Sequence, residues 1–340
     1  MNEKVDDLKA VLHAYSVQPF YIENETEKLY KVQDGQQQFA LKQSQLSPDD
    51  MAMWENVYQE AYTQNLHTIL PVFLTREGNI YEIYEGTVYY LSPWRGNALS
   101  SFDKYTIGNF YRHLGHIHVK TKRTRTVDTD SFVQNFRGYQ KQCEALQKKL
   151  LFFVEQFEAK HYMSPFELLV CTHFRDIDFS LQESNRRIDQ LINEQEQQEQ
   201  WNYSLCHGNL NSSHVIVSPE QMYLINWDKA RYEYAPFDLS QFYKSETVHY
   251  DAPVDLFLDE FDSYMNENKL TNKELYMLII QVLDPAPYIQ LVEEHDQSSK
   301  TMIDQIIPLQ HIFRRILFGL RLSAYVEKEY DTLDLDDLES

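Results

Sequence analysis

Alternating apolar and polar positions dominate the first hundred residues. After a helical stretch over roughly 3–14, PFYIEN, KLYKVQ and QQFALKQ each alternate in strand fashion. Asp34-Gly35, between the second and third, predicts a hairpin turn. The period then changes: in SPDDMAMWENVYQEAYTQN, Met53, Val57 and Tyr58 fall at helical intervals and Ser47 is placed to cap the N-terminus. NIYEIYE and TVYYLSPW return to alternation around Glu85-Gly86. The predicted order is strand-strand-strand-helix-strand-strand.

From about residue 100 the pattern turns helical. TIGNFYRHLGHIHVKT (106–121) is amphipathic, residues 131–160 form a long periodic helix, and another runs from about Pro165 to Gln200. That helix ends in EQEQQEQ, read as a solvated polar end. LCHGNLNSSHVIV and INWDKARYEYAPFDLSQF follow as short strands in a helical setting, and helices resume from Val254 to about Tyr330. The implied organisation is a strand-rich domain over 1–95, a mainly helical domain over 96–330 and an acidic tail at 331–340. The connector is Pro93-Trp94-Arg95-Gly96, and no internal repeat is present.

Charge narrows the choice of partners. The chain of 340 residues carries 31 basic and 52 acidic side chains, a formal charge of −21. A field of that sign repels nucleic acid and anionic lipid surfaces. Cys143, Cys171 and Cys206 are far apart, with no CxxC pair, so no zinc site is expected and a reduced compartment fits. The N-terminal MNEKVDDLKAVLHAYS mixes charges where a signal peptide would be apolar, and LYMLIIQVL (275–283) is too short to span a bilayer. Synthesis in a cytoplasm, with no membrane span, is the expectation. Glycine numbers 9, against roughly 24 at average usage, which leaves few positions for a phosphate-cradling loop.

The strand-helix order, FALK (39–42), YLSPW (90–94), LGHIH (114–118), LCHGNLNSSHVIV (205–217) and INWDKARYEYAPFDLSQF together resemble a protein-kinase-like fold of the aminoglycoside and choline kinase branch. Within that branch the chain is most similar to the CotS-type spore-coat proteins of endospore-forming bacteria. The resemblance implies an α+β, bilobal fold with a small five-stranded antiparallel lobe bearing one helix and a larger helical lobe. It also implies other spore-coat proteins as partners, with deposition in the coat after synthesis in the mother cell.

The same resemblance exposes departures. The family loop reads HGDxxxxN, its aspartate the catalytic base and its asparagine a metal ligand. The matching positions here are Asn209 and His214. An amide cannot deprotonate a hydroxyl at neutral pH, and imidazole suits magnesium poorly. The family's metal-binding aspartate falls at Asn226, with Asp228 two residues on as a fallback ligand or a turn carboxylate. Lys42 matches the phosphate-contacting lysine. Glu60 is favoured over Glu55 as its ion partner, so Lys42, Glu60 and Asp228 form a vestigial nucleotide site. ENETEK (23–28) supplies no glycine and three glutamates, Glu23, Glu25 and Glu27, where phosphates would lie. His207 is read as a loop anchor and Asp238 as a structural carboxylate or helix cap.

HLGHIH places His113, His116 and His118 on one segment, but without an acidic or cysteine ligand at matching spacing it predicts no metal site. The pattern is that of a pseudokinase needing no cofactor. Two alternatives stand beside it: an active ATP- and magnesium-dependent phosphotransferase, and a non-catalytic nucleotide-binding module.

Overall fold

The alternation of the first hundred residues becomes a five-stranded antiparallel sheet of order β1-β2-β3-β5-β4. The computed structural model describes residues 2–35, 37–218 and 221–331. Helix α1 (Asn2–Ala14) precedes β1 (Tyr21–Thr26), β2 (Leu29–Asp34) and β3 (Gln37–Ser44); α2 (Pro48–Thr63), β4 (Glu82–Tyr84) and β5 (Thr87–Pro93) follow. Period-two geometry sorts the side chains. Tyr30, Val32, Phe39, Leu41 and Leu91 face one way and form a core with Leu8, Val11 and Leu12 of α1. Ala40 and Lys42 face the other way, and Lys42 pairs across the ladders with Leu29 and Tyr90.

Ser47 caps α2 by accepting from the Asp50 N–H. The helix buries Trp54 fully, with its ring 4.8 Å from that of Tyr58 and 5.0 Å from that of Tyr90. The β4–β5 hairpin closes at Glu85-Gly86, both at positive φ (50° and 76°), as a tight two-residue turn demands.

Among the described residues the chain forms two compact units, one of residues 2–102 with 207–232, the other of residues 103–206 with 233–331. This differs from a boundary near residue 95, because the segment holding the His-Gly loop groups with the strand-rich unit. The second unit begins with α3 (Lys104–Lys120), β6 (Arg123–Thr126), α4 (Thr129–Glu158), α5 (Pro165–Gln197) and β7 (Gln200–Cys206), with β6 and β7 antiparallel. The chain then supplies β8 (Val215–Val217) and β9 (Met222–Leu224), an antiparallel hairpin of the first unit, a 3₁₀ turn at Trp227–Lys229 and β10 (Arg231–Glu233).

Helices α6 (Pro236–Glu246), α7 (Val254–Asp259), α8 (Phe261–Glu267), α9 (Asn272–Leu283), α10 (Ala286–Glu294) and α11 (Met302–Val326) complete the second unit, with a π-helical turn at Glu327–Asp331. By length and composition alone, Asn272–Gln297 could cross a membrane. In the fold it is broken at Asp284-Pro285, and Leu275, Leu278, Ile279, Val282 and Leu283 are buried in the helical core.

Several expectations change. Helix α5 ends at Gln197, and Gln200 opens a strand. The EQEQQEQ tract is not wholly solvated: Gln195 is fully buried and its side-chain oxygen accepts from the Trp201 indole at 2.6 Å. Asp238 lies within α6, whose N-cap is Ala235, so it is not a cap. Of the predicted tail, Asp331 belongs to the last helical turn and pairs with the fully buried Arg187 at 2.7 Å; residues 332–340 lie outside the described residues.

Candidate functional site

The polar face of β3 sets the site. Lys42 and Ser44 are two apart and share that face, with Tyr90 opposite Lys42 on β5. The 3₁₀ turn after β9 brings Asp228 to all three. Its Oδ2 accepts from Lys42 Nζ at 3.1 Å and Ser44 Oγ at 2.9 Å, and its Oδ1 accepts from Tyr90 Oη at 3.2 Å. The ion partner of Lys42 is therefore Asp228, in place of the expected helix glutamate. Glu60 instead accepts from the Tyr232 hydroxyl at 2.9 Å, and Glu55 lies close enough to Tyr81 for its charge to add to the burial that raises that phenol's pKa. Burial lowers the Lys42 pKa, an effect opposed by Asp228. Burial, then the charge of Asp228, raises Tyr58 and Tyr90 above the ordinary phenol range.

Asn226 sits in the left-handed region (φ 68°, ψ 52°), which asparagine tolerates. Its amide is held from both ends. Lys42 donates to Oδ1, and Nδ2 donates to His214 Nε2 at 2.6 Å. The opposite ring nitrogen, His214 Nδ1, donates to the Asn209 carbonyl at 2.8 Å, which leaves Nε2 as the acceptor. Burial pushes the His214 pKa down to about 4, with His207 beside it as a further cause, so the ring is neutral at pH 7. Asn209 is exposed.

The loop is fixed by its His-Gly pair. The buried His207 donates from Nε2 to the Ile225 carbonyl at 2.8 Å and accepts from the Asn209 N–H at 3.3 Å. Gly208 is at φ +83°, and a Cβ there would lie 1.8 Å from the Lys229 carbonyl oxygen. Only glycine permits that approach.

Beside Lys42 lies a cavity of about 480 Å³, with Leu29, Ala40, Val72, Trp94, Ile216 and Ile225 among its apolar walls. Its polar end does not fit a magnesium–nucleotide complex. The Asn226 oxygen already takes an ammonium, Asp228 already accepts three hydrogen bonds, and Asn209 and His214 bring no negative charge. A divalent ion would have to displace Lys42 or sit against it.

In the second unit the histidines of HLGHIH separate. His113 Nδ1 bonds the Asn109 carbonyl, while His116 lies 3.9 Å from Glu267. His118 is buried, with Nδ1 2.7 Å from Tyr264 Oη and Nε2 3.3 Å from Asp238 Oδ2. Distant segments thus bring Asp238 and Cys206 to His118, all three ligand-type atoms lying within 4.8 Å of one another. Sequence spacing alone could not show this meeting. The cluster is satisfied by hydrogen bonds, since Tyr264 and Asp238 serve the ring and Cys206 Sγ donates to the Glu233 and Tyr234 carbonyls.

No protein-family model matches the sequence, and no curated protein matches it. Solved structures do. An aminoglycoside phosphotransferase from Alicyclobacillus acidocaldarius is similar at TM-score 0.72 and 15% identity, covering 95% of this chain and 96% of its own. The spectinomycin phosphotransferase APH(9)-Ia is similar at TM-score 0.56 and 13% identity, covering 94% and 98%. A microcompartment-associated aminopropanol kinase is similar at TM-score 0.55 and 12% identity, covering 95% and 98%. The chain has the aminoglycoside-phosphotransferase form of the protein-kinase-like fold.

Proposed function

We propose that this chain is a pseudokinase, a kinase-like protein without phosphotransferase chemistry, acting as a structural or assembly component of the bacterial endospore coat. One observation carries the loss of chemistry. The side chain at the family's metal position, Asn226, is closed between Lys42 and the neutral His214. The coat assignment rests on the sequence resemblance; in it the protein is made in the mother-cell cytoplasm, is deposited in the coat and binds other coat proteins.

The runner-up is an active ATP-dependent phosphotransferase on a small molecule or coat protein, favoured by the kinase names of the structural neighbours. Against it, the fallback ligand Asp228 is occupied by Lys42, Ser44 and Tyr90. Labelled ATP with magnesium, incubated with the purified chain and a panel of amino alcohols, aminoglycosides and coat extract, separates the readings. No label transfer above background is expected. Transfer at an ordinary kinase rate, about 1–100 s⁻¹, would overturn the proposal. For the coat role, a fluorescent fusion in a sporulating host should form a shell around the spore; uniform cytoplasmic signal would remove that part.

A further inference from the structure

The helical unit gathers cations at one corner, in a chain of formal charge −21. His311, Arg314 and Arg315 fall at i, i+3 and i+4 on α11, which puts them on one face of that helix. Lys244, in the last turn of α6, is near enough to Arg315 for the two charges to oppose each other, and His249 stands in the same relation to His311. The segment after α6 ties the two helices together. Arg314 donates to the Val248 carbonyl, and its guanidinium lies 5.8 Å from the centre of the Tyr250 ring.

Compensation at this corner is thin. The carboxylate that reaches Lys244 and Arg315 is Asp284, whose Oδ1 already accepts from the Tyr139 hydroxyl and the Ala286 N–H, each at 3.2 Å. Glu246 is two residues from Lys244, and i and i+2 do not face each other on a helix. Among the described residues Lys244 makes no hydrogen bond, and no carboxylate lies within ion-pair distance of any of these basic groups. Arg315 is only 8% exposed; its Nη2 caps the Asp284 carbonyl, while its buried Nε has no acceptor. A buried donor left unpaired costs free energy, so it points to an acceptor that the chain does not itself supply. Burial lowers the pKa of Lys244 and of Arg315, a penalty that a bound anion offsets.

The corner is open on one side, where Lys244 and Arg314 are half-buried and His249 and Tyr250 are exposed. Three cations, Lys244, Arg314 and Arg315, against the one carboxylate of Asp284 leave a surplus of two positive charges. A doubly charged tetrahedral oxyanion matches that surplus, and guanidinium forks hold such groups through paired N–H donors. We propose that the corner formed by Lys244, Arg314 and Arg315 is an anion site for a phosphate dianion, either the free ion or the head of a small phosphomonoester. Lys244 and the unused donors of Arg314 touch the oxygens, Arg315 lies behind them, and Tyr250 is the wall that a monoester's organic part meets. The site belongs to the helical unit and stands whether or not the residues around Lys42 are catalytic.

Calorimetry on the full chain tests this in magnesium-free buffer at about pH 7.5, where phosphomonoesters are largely doubly charged. Inorganic phosphate, phenyl phosphate and benzoate are titrated separately. A Kd of about 1 mM or tighter is expected for at least one phosphate, with singly charged benzoate at least about tenfold weaker. Inorganic phosphate binding as tightly as phenyl phosphate, or more so, identifies the free ion; tighter phenyl phosphate identifies a monoester. Each supports the proposal. Lys244→Gln removes a cation that has no bond to lose. It should weaken phosphate binding at least about tenfold and leave the anion-free melting temperature unchanged or higher, since a like-charge repulsion is relieved. Lys28→Gln, in the strand-rich unit, should bind as the parent does. The site is refuted by no binding of either phosphate, by benzoate binding as tightly, by full affinity or a lowered melting temperature in Lys244→Gln, or by lost affinity in Lys28→Gln.

Discussion

His214 Nε2 and Asn226 Nδ2 lie 2.6 Å apart, and this contact fixes which atoms of the site donate and which accept. Because the ring accepts there, it stays neutral, and the amide oxygen turns towards Lys42. Asn226→Asp replaces a donor with a negative acceptor. The imidazole should then take up a proton, its pKa rising from about 4 by about one to three units, as an adjacent opposite charge produces. An NMR titration of the His214 ring measures it. An unmoved titration would mean that the Asn226 contact does not govern the ring.

Acid should weaken the fold through two imidazoles. Burial lowers both His173 and His214 to about 4, whereas unfolded histidine titrates near about 6.5. Between those values the unfolded chain binds protons that the native chain refuses. Stability is therefore intact above about pH 6.5 and falls as pH drops towards 4. His173 stacks on Phe313 at 3.5 Å and bonds Tyr288 at 3.0 Å. Urea midpoints at pH 7 and pH 5 should differ less in His173→Gln than in the parent. An equal difference would remove His173 from the account.

Two glycines should respond oppositely to alanine. Gly208→Ala places a Cβ against the Lys229 carbonyl at positive φ, and should cost about 3 kcal/mol or more. Gly138 is exposed within α4 with open space around its position, so Gly138→Ala should gain about 0.5–1 kcal/mol through helix propensity. Denaturation midpoints of the pair supply the comparison, and a tolerated Gly208→Ala would contradict the close loop packing.

Arg187 is fully buried on α5 and bonds Glu183, Ser323 and Asp331. Arg187→Leu leaves those acids without their buried cation and should cost about 3–5 kcal/mol. Thermal unfolding reads the loss. A change below about 1 kcal/mol would mean the network behaves like exposed ion pairs.

The sheet and α2 were legible because one face of each is buried, which writes the period into the residues. Strand β6 reads RTRT and is exposed along its length, so no apolar alternation marks it. Strand β10 has three residues, too few to show a period. At the site, Asn209 and Asn226 are legible as departures from the kinase-like loop pattern, but the partner of Lys42 is not. Glu55 and Glu60 both lie on α2, whereas the actual partner, Asp228, comes from a turn far along the chain. The signal that was present is the shared face of Lys42 and Ser44 with Tyr90 opposite, which becomes a pocket for Asp228 only once the turn after β9 folds against it. Likewise the buried side of Gln195 was masked by its polar neighbours, although Trp201, six residues on, needed an acceptor.

The ammonium lodged against Asn226 and Asp228 is tethered to the backbone, so its supply never varies with the ionic medium. Chelators, magnesium starvation or dehydration cannot strip it away. The cavity's electrostatic state is inherited with the gene rather than borrowed from the surroundings.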